Sequence, residues 1–278
     1  MTGYINEPLL KSILDKYPDD FTEEVAHAVV DYFQNKKNIR NGKPITDSSK
    51  VNQISTFKKV LKDIKILPEL SLLKMPETIW KPVKTSQVAK TIANHRSILK
   101  IQNSEEFIKK TLEGLHSKLF SELYPALLLA SGRRPTEIYM MKFRKGKKPN
   151  TIIFTGQLKK RSEKEKYVIP LLTDVITFKK AIKNFQQLFP EVKINNMTPD
   201  QIAKAYSKQN ANTLLAFSKK NGIKLKASDF RRIYVAKSYK DYSEANIENT
   251  QTFNVWIMDF LGHVSLDISL NYSNVILE

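Results

Sequence analysis

Residues 127–141, LLLASGRRPTEIYMM, decide the fold, because an apolar helical run meets a turn and then a new helix start. The helical pattern breaks at Ser131 and Gly132. Pro135 has a fixed φ and no N–H group, so it fits the first turn of a helix and favours an extended Arg134. At a helix entrance, this guanidinium and the helix N-terminus would together attract a phosphate. Taken alone, the segment is explained more simply as a surface arginine pair beside a turn.

The segments before this turn are helical in pattern. Residues 104–120 and 121–130 predict helices that are strongly apolar on one side, and they lead to the break at Ser131 and Gly132. Residues 21–37 and 48–67 predict two amphipathic helices, and Asp47 or Ser48 would cap the second. The predicted apolar stripes consist of Val25, Ala28, Val29 and Phe33 in the first helix and Val51, Ile54, Phe57, Val60 and Leu61 in the second.

The chain is strongly basic. It has 46 Lys and Arg against 28 Asp and Glu, a formal charge of +18 and a pI of about 9.7. Such a balance favours a polyanionic partner, above all nucleic acid, and Lys58, Lys59 and Lys62, opposite the second apolar stripe, are candidate DNA contacts. A merely basic protein from a Lys- and Asn-rich proteome would explain the charge equally well.

A linker is predicted between the two halves of the chain. Residues 68–82, PELSLLKMPETIWKP, are interrupted by three prolines, each of which is unfavourable inside a helix. A chain of 278 residues is long enough for two domains. We therefore expect a helical N-terminal domain over residues 1–80, including a linker from about residue 66, and a second domain over residues 81–278.

A β-hairpin is predicted after the turn. Residues 151–161 and 166–172 are β-rich runs separated by the polar SEKE, and helical spacing resumes beyond them. The predicted fold class is therefore mainly α with a small antiparallel β-sheet, or α+β. Because side chains alternate along a strand, only one of Lys159 and Lys160 can point into a site. A hairpin lysine is usually solvated, but beside a leaving 5′ oxygen it could act as a general acid.

Two later segments carry further reactive side chains. Residues 226–239, KASDFRRIYVAKSY, predict a helix with Arg231 or Arg232 near its start, its buried side formed by Ile233, Ala236 and Tyr239. In residues 259–274, DFLGHVSLDISLNYSN, a glycine ends one helix and His263 begins the next segment. An intervening helix could return the Tyr272 phenol to this imidazole. A buried histidine and an aromatic core residue are the alternative for this segment.

The amino-acid composition excludes some classes of site chemistry and leaves others without support. The chain has no Cys, which excludes disulfides and thiolate chemistry, and its four His are not closely paired, so a metal site lacks support. The first twenty residues have no long apolar run, so neither a signal peptide nor a membrane span is indicated. We expect an intracellular, DNA-associated protein that needs no cofactor.

Taken together, GRRPTEI, a hairpin lysine, an FRR helix and LGH followed by Tyr resemble the tyrosine recombinase family in order and approximate spacing. The resemblance covers about residues 100–276, and GRRPTEI and TGQLKK look most like telomere resolvases, the enzymes that make hairpin chromosome ends. It implies a recombinase-like catalytic domain, preceded by a helical domain that clamps DNA. A bacterial or phage origin would fit this family.

The resemblance also implies roles for individual residues. Arg134 and Arg231 match the catalytic arginines, and Glu137 matches a supporting acidic residue. Lys159, which follows Gln by two positions, matches the hairpin lysine, with Lys160 as its rival. Arg232 matches a position that is often basic in the family. His263 matches the final histidine, and Tyr272 matches the nucleophile. Ser228 stands where the family usually has His or Lys. Because Ser can donate a neutral hydrogen bond but cannot carry charge at any useful pH, Ser228 is a candidate supporting residue that is expected to be non-essential.

The implied reaction is metal-independent cleavage and rejoining of double-stranded DNA through a 3′-phosphotyrosyl intermediate. Two protomers would suffice for hairpin formation, whereas strand exchange usually needs four, so self-association on DNA as a dimer or tetramer is expected. The sequence does not choose between hairpin formation and strand exchange. Two other functions stay open, namely a catalytically inactive or architectural DNA-binding protein on the same fold and a type IB topoisomerase that relaxes supercoils.

Overall fold

A computed structural model describes residues 23–38, 41–63, 72–96, 98–155, 166–189, 194, 196–261 and 272–278, and elements are numbered here among those residues. The chain divides into two compact units, Met1–Ala93 and Asn94–Glu278. Each unit has a hydrophobic core of its own.

The described part of the first unit is mainly helical, with α1 at Glu23–Asn35, α2 at Asp47–Asp63 and most of α3, which spans Glu77–Arg96 and ends beyond Ala93. The predicted stripes form its core, in which the rings of Phe33 and Phe57 lie 6.0 Å apart. Ala28 is an exception, because it is exposed whereas Ala26 is buried. The predicted cap is also wrong, since Thr46 Oγ1 accepts the Ser49 N–H at 3.3 Å at the start of α2. The side chain of Val60 lies outside the described residues.

The boundary between the units lies beyond the predicted linker. Pro76 precedes α3 and its carbonyl accepts the N–H of Ile79, as suits a proline at a helix start. Pro82 lies inside α3, so the helix continues through the residue 80 boundary that the prolines predicted. The division between compact units follows Ala93.

The second unit is built around one buried helix. Its helices are α4 at Ser104–Glu113, α5 at Phe120–Ser131, α6 at Pro135–Tyr139, α7 at Val175–Gln187, α8 at Pro199–Lys220, α9 at Ala227–Ala245 and α10 at Phe253–Leu261. Every side chain of α5 from Leu123 to Ser131 is buried, because α4, α7, α8 and α9 all pack against it. A helix that is apolar all round is stable only when covered in this way.

Two small sheets complete the second unit. The strands β2, β3 and β4, at Lys142–Lys145, Thr151–Thr155 and Lys166–Pro170, form an antiparallel sheet in that order. Its β3–β4 pair confirms the predicted hairpin, with Ile152 and Phe154 facing the core. The second sheet was not predicted. Strand β1 at Leu99–Ile101 pairs in parallel with β5 at Val275–Leu277.

Among the described residues, no helix combines the length and the apolar character that a membrane span requires.

Candidate active site

The GRRPTEI turn forms one wall of the candidate site. Helix α5 ends at Gly132, which has a φ of 59°, and the Tyr234 ring lies where a Cβ would project from it. Arg134 has φ −70° and ψ 152°, the extended conformation predicted from the proline that follows it. A side chain at position 132 would overlap the Tyr234 ring of α9, so only glycine fits this position of the turn.

Arg134 and Glu137 form an ion pair within this turn. The Arg134 Nη1 donates to Glu137 Oε1 at 2.8 Å, and the Arg134 backbone N–H donates to Oε2 at 3.0 Å. The carboxylate is fully buried, whereas the Arg134 side chain is 26% exposed. Burial alone would raise the pKa of Glu137, but Arg133, Arg134 and Arg231 together hold that pKa below its ordinary value. Glu137 therefore stays ionised and orients Arg134.

Arg133 is a site residue that the sequence did not reveal. It is 1% exposed, its Nε donates to the Ser131 carbonyl at 3.2 Å, and its guanidinium lies 5.7 Å from the centroid of the Phe154 ring. Neither Nη atom has a hydrogen-bond partner in the described part of the chain. The signal that could have revealed it is its place directly after a helix whose residues are apolar on every side.

Arg231 forms the opposite wall, one turn into α9. It is 5% exposed, and its Nε, Nη1 and Nη2 all lack a hydrogen-bond partner among the described residues. Burial lowers the pKa of Arg231 to about 10, while Tyr272 and Glu137 favour its charged form and Arg133 and Arg134 oppose it. The arginines and the carboxylate of the turn and Tyr272 are thus close enough to Arg231 to affect its charge.

Tyr272 lies against Arg231, with 5.8 Å between the guanidinium and the centroid of the phenol ring. The ring is partly buried and packs at the edge of the main core. Strand β5 begins three residues later and pairs with β1, so the tyrosine is close to a fixed point of the fold. Arg232, on the neighbouring position of α9, donates from Nη2 to the Asn274 carbonyl at 2.6 Å.

The structure thus brings Arg134, Glu137, Arg231 and Tyr272 together. Ser228 is exposed in the first turn of α9, and the predicted buried side of α9 holds fully for Ile233 only, since Ala236 and Tyr239 are partly buried. In the first unit, Lys58 is partly buried and Lys59 is exposed on α2. Four predicted site residues lie outside the described residues or have side chains outside them: Lys62, Lys159, Lys160 and His263.

The electrostatic balance of the cluster favours a bound anion. Three guanidinium groups face one carboxylate, and two of the three are buried with unpaired donors. Guanidinium groups present donors in a geometry that matches the oxygens of a phosphate. In the residues that the structure describes, no group of three or more His, Asp or Glu side chains is arranged to hold a metal ion.

A comparison with known protein families assigns the chain to one of them. The model of the telomere resolvase ResT/TelK catalytic domain matches residues 97–274, which is more than half of the chain. The protein therefore belongs to the telomere resolvase family, whose members cleave and rejoin DNA. No match was found among curated protein sequences.

Solved structures show the same fold. A variant of protelomerase TelA covalently complexed with substrate DNA matches with a TM-score of 0.75 at 19% identity, over 98% of this chain and 89% of that chain. A second TelA variant, complexed with a DNA hairpin product, gives the same values. Protelomerase TelK complexed with substrate DNA matches with a TM-score of 0.62 at 18% identity, over 98% of this chain and 63% of that chain.

Proposed function

We propose that this protein cleaves and rejoins double-stranded DNA, with Tyr272 as the nucleophile that becomes joined to a 3′ phosphate. The observation that carries the proposal is the Arg231 guanidinium, buried without a hydrogen-bond partner among the described residues and 5.8 Å from the Tyr272 ring. A buried charge with unused donors is unfavourable unless a ligand compensates it. A phosphodiester beside the tyrosine would do so.

Charge stabilisation is the role proposed for the arginines. A phenol with an ordinary pKa of about 10 is neutral at pH 7, so its attack on phosphorus requires loss of a proton and stabilisation of added negative charge. Arg134 and Arg231 would donate to the non-bridging oxygens, where the charge develops. Glu137 would fix Arg134 in place through the two hydrogen bonds that it accepts.

The resemblance supplies the two remaining roles. Lys159, with Lys160 as the alternative, would protonate the departing 5′ oxygen, and His263 would donate a hydrogen bond to a non-bridging oxygen. The phosphotyrosyl bond keeps the energy of the phosphodiester. A second 5′ hydroxyl can therefore attack it and release Tyr272 without ATP.

Hairpin closure is the product that we propose. The chain belongs to the telomere resolvase family, and a TelA variant of the same fold was solved with a DNA hairpin product. Two protomers on an inverted repeat would each cleave one strand and join it to the opposite strand of the same end. The helical first unit would clamp the duplex, with Lys58, Lys59 and Lys62 as candidate phosphate contacts.

The first experiment uses a duplex that carries the inverted-repeat end of the replicon encoding the protein. We expect a covalent protein–DNA adduct under denaturing conditions, absent from Tyr272→Phe, and a product that snaps back after heating. Absence of any adduct from the wild-type protein would refute the proposal. Relaxation of plasmids that lack the repeat would instead favour a topoisomerase.

The proposed clamp has a separate test. Because each phosphate contact displaces counterions, log Kd should change with log salt by about 0.9 per contact. Lys59→Gln should reduce that slope, whereas Lys110→Gln is the matched control because Lys110 is paired with Glu106 at 2.7 Å. Equal slopes in both variants would show that Lys59 does not contact a DNA phosphate.

A further inference from the structure

Arg232 contacts the backbone that follows Tyr272. Its Nη2 donates to the Asn274 carbonyl at 2.6 Å, and its Nη1 donates to Asp229 Oδ1 at 3.3 Å. The side chain is only 17% exposed. Arg232 is therefore engaged within the protein, unlike the neighbouring Arg231, whose donors are unused among the described residues.

Asp229 holds Arg232 from the other side. Its second carboxylate oxygen accepts the backbone N–H of Lys226 at 2.9 Å, at the start of helix α9. The Asp229 side chain is 15% exposed, so water competes little for the pair. The guanidinium is thus fixed to the first turn of α9, and its orientation follows that of the helix.

The Asn274 carbonyl is held from two directions. It also accepts the Leu99 backbone N–H at 2.9 Å, at the start of the pairing between β1 and β5. Adjacent residues of α9 therefore contact the same short segment, Arg231 at the Tyr272 ring and Arg232 at the carbonyl two residues later. This arrangement fixes where the tyrosine can lie relative to Arg231.

We propose that Arg232 is a positioning residue, which fixes the Tyr272 segment on α9 so that the phenol oxygen lies in line with the phosphate held by Arg231. The inference rests on the proposed function, because it assumes that Tyr272 is the nucleophile. In-line attack tolerates little displacement, and an error of about 1 Å can slow a reaction by about 100-fold. Arg232 would act on the rate of attack and leave DNA affinity nearly unchanged.

Replacement of Arg232 by Met and by Lys should slow adduct formation to different extents. Arg232→Met keeps much of the apolar stem but removes both hydrogen bonds, so single-turnover adduct formation should slow by about 10- to 100-fold. Arg232→Lys offers one ammonium in place of a planar fork and should recover only part of the rate. Lys237→Met is the matched control on the same helix, because Lys237 is 18% exposed and paired with Glu105 and Asp241.

A substrate with sulfur at the bridging 5′ position separates positioning from leaving-group chemistry, because a thiolate leaves without a proton. Single-turnover adduct formation and DNA affinity are measured for wild type, Tyr272→Phe, Arg232→Met, Arg232→Lys and Lys237→Met on oxygen and sulfur substrates. We expect Arg232→Met to be slow on both substrates, with Kd within about threefold of wild type and Lys237→Met at the wild-type rate.

Each other result has a defined meaning. A wild-type rate in Arg232→Met, or its rescue by sulfur, would overturn the positioning role and leave the proposed function intact. An equal loss in Lys237→Met would show a general structural effect and would also overturn it. A wild-type protein that forms no adduct on either substrate would refute the proposed function, and the role of Arg232 would fall with it.

Discussion

Arg231 is a buried charged group whose hydrogen-bond donors are unused among the described residues. Its three guanidinium nitrogens lack hydrogen-bond partners in the described chain, and burial lowers its pKa to about 10, so it is still charged at pH 7. An unpaired buried donor destabilises a protein by about 1 to 3 kcal/mol, more when it is charged. This destabilisation is the expected consequence of a site prepared for an anion.

Replacing Arg231 should therefore separate stability from activity. We expect Arg231→Met to melt at or above the wild-type temperature, by about 2 to 4 °C for each kcal/mol recovered, and to form no DNA adduct. Calorimetry and the adduct assay measure the two effects. Arg232→Met is the control and should melt lower, because that arginine has partners. A much lower melting temperature in Arg231→Met would show that Arg231 stabilises the free protein.

The stabilisation that Glu137 contributes to the folded protein should be lost in acid. Its pKa in the folded protein lies below the ordinary 4.5, despite burial, because Arg133, Arg134 and Arg231 surround it. The unfolded chain therefore takes up a proton at higher pH than the folded chain does. The stabilisation from Glu137 is fully present above about pH 4.5 and is lost as the pH falls through the lower folded pKa.

The pH dependence of unfolding tests this assignment. We expect the free energy of unfolding of the wild type to fall in that acidic range, and Glu137→Gln to show a smaller fall there and a lower stability at pH 7. Denaturant titrations between pH 3 and pH 7 measure both. Parallel pH profiles for the two proteins would contradict the assignment.

The turn between α5 and α6 depends on one glycine. Gly132 and Gly222 both have positive φ, 59° and 65°, but a Cβ on Gly132 would overlap the Tyr234 ring, whereas Gly222 has open space around it. The Tyr234 hydroxyl donates to the Pro170 carbonyl at 2.6 Å, so the ring is not free to move away. This turn therefore couples helices α5 and α9 with strand β4.

Alanine at the two glycines should have unequal effects. We expect Gly222→Ala to destabilise the protein by about 1 kcal/mol, the usual strain of positive φ. Gly132→Ala should destabilise it by more than about 3 kcal/mol, because strain and overlap with the ring combine. Urea unfolding of both variants measures the difference. Similar midpoints would show that the Tyr234 ring shifts at little cost.

Local sequence patterns predicted the presence of helices and strands better than the positions of their ends. Hydrophobic spacing identified α1, α2 and the β3–β4 hairpin, since a buried stripe leaves a period in the sequence. It misassigned Ala28, because a small residue fits either side of a helix, and it misassigned the α2 cap, because Thr46, Asp47 and Ser48 are adjacent and each is a residue type that can cap. The β1–β5 pair could not be predicted, because three-residue strands carry no period and their partners are distant in sequence.

The candidate site was predicted from the order of its motifs. Arg134 and Arg231 follow from GRRPTEI and FRR, yet nothing local shows that Arg231 faces Tyr272 while Arg232 faces the backbone. Arg133 was missed because an arginine beside a turn is usually exposed. Its burial depends on packing against Phe154 in a strand that lies later in the sequence.

At the scale of the whole molecule, the pairing of β1 with β5 within one chain predicts that Tyr272, as the proposed nucleophile, acts in the site of its own protomer. Mixing Tyr272→Phe with Arg231→Met on the two-fold target should then restore no adduct, because no single site has both groups. If Tyr272 entered the partner's site, the mixture should regain up to about one quarter to one half of the wild-type adduct. The amount of adduct formed by a mixture of Arg231→Met and wild-type protein serves as the reference level.

The same strand pair imposes an order on folding during synthesis. Residues 275–277 leave the ribosome after residues 99–101 and after everything between them, and long-range pairs of this kind form late in folding. Until residues 272–277 have been made, β1 has no β5 to pair with and Arg232 of α9 has no Asn274 carbonyl to contact. A nascent chain would therefore already contain its basic helices while still lacking the anchored Tyr272, so cleavage by the proposed nucleophile should begin only after residues 275–277 have been made and paired.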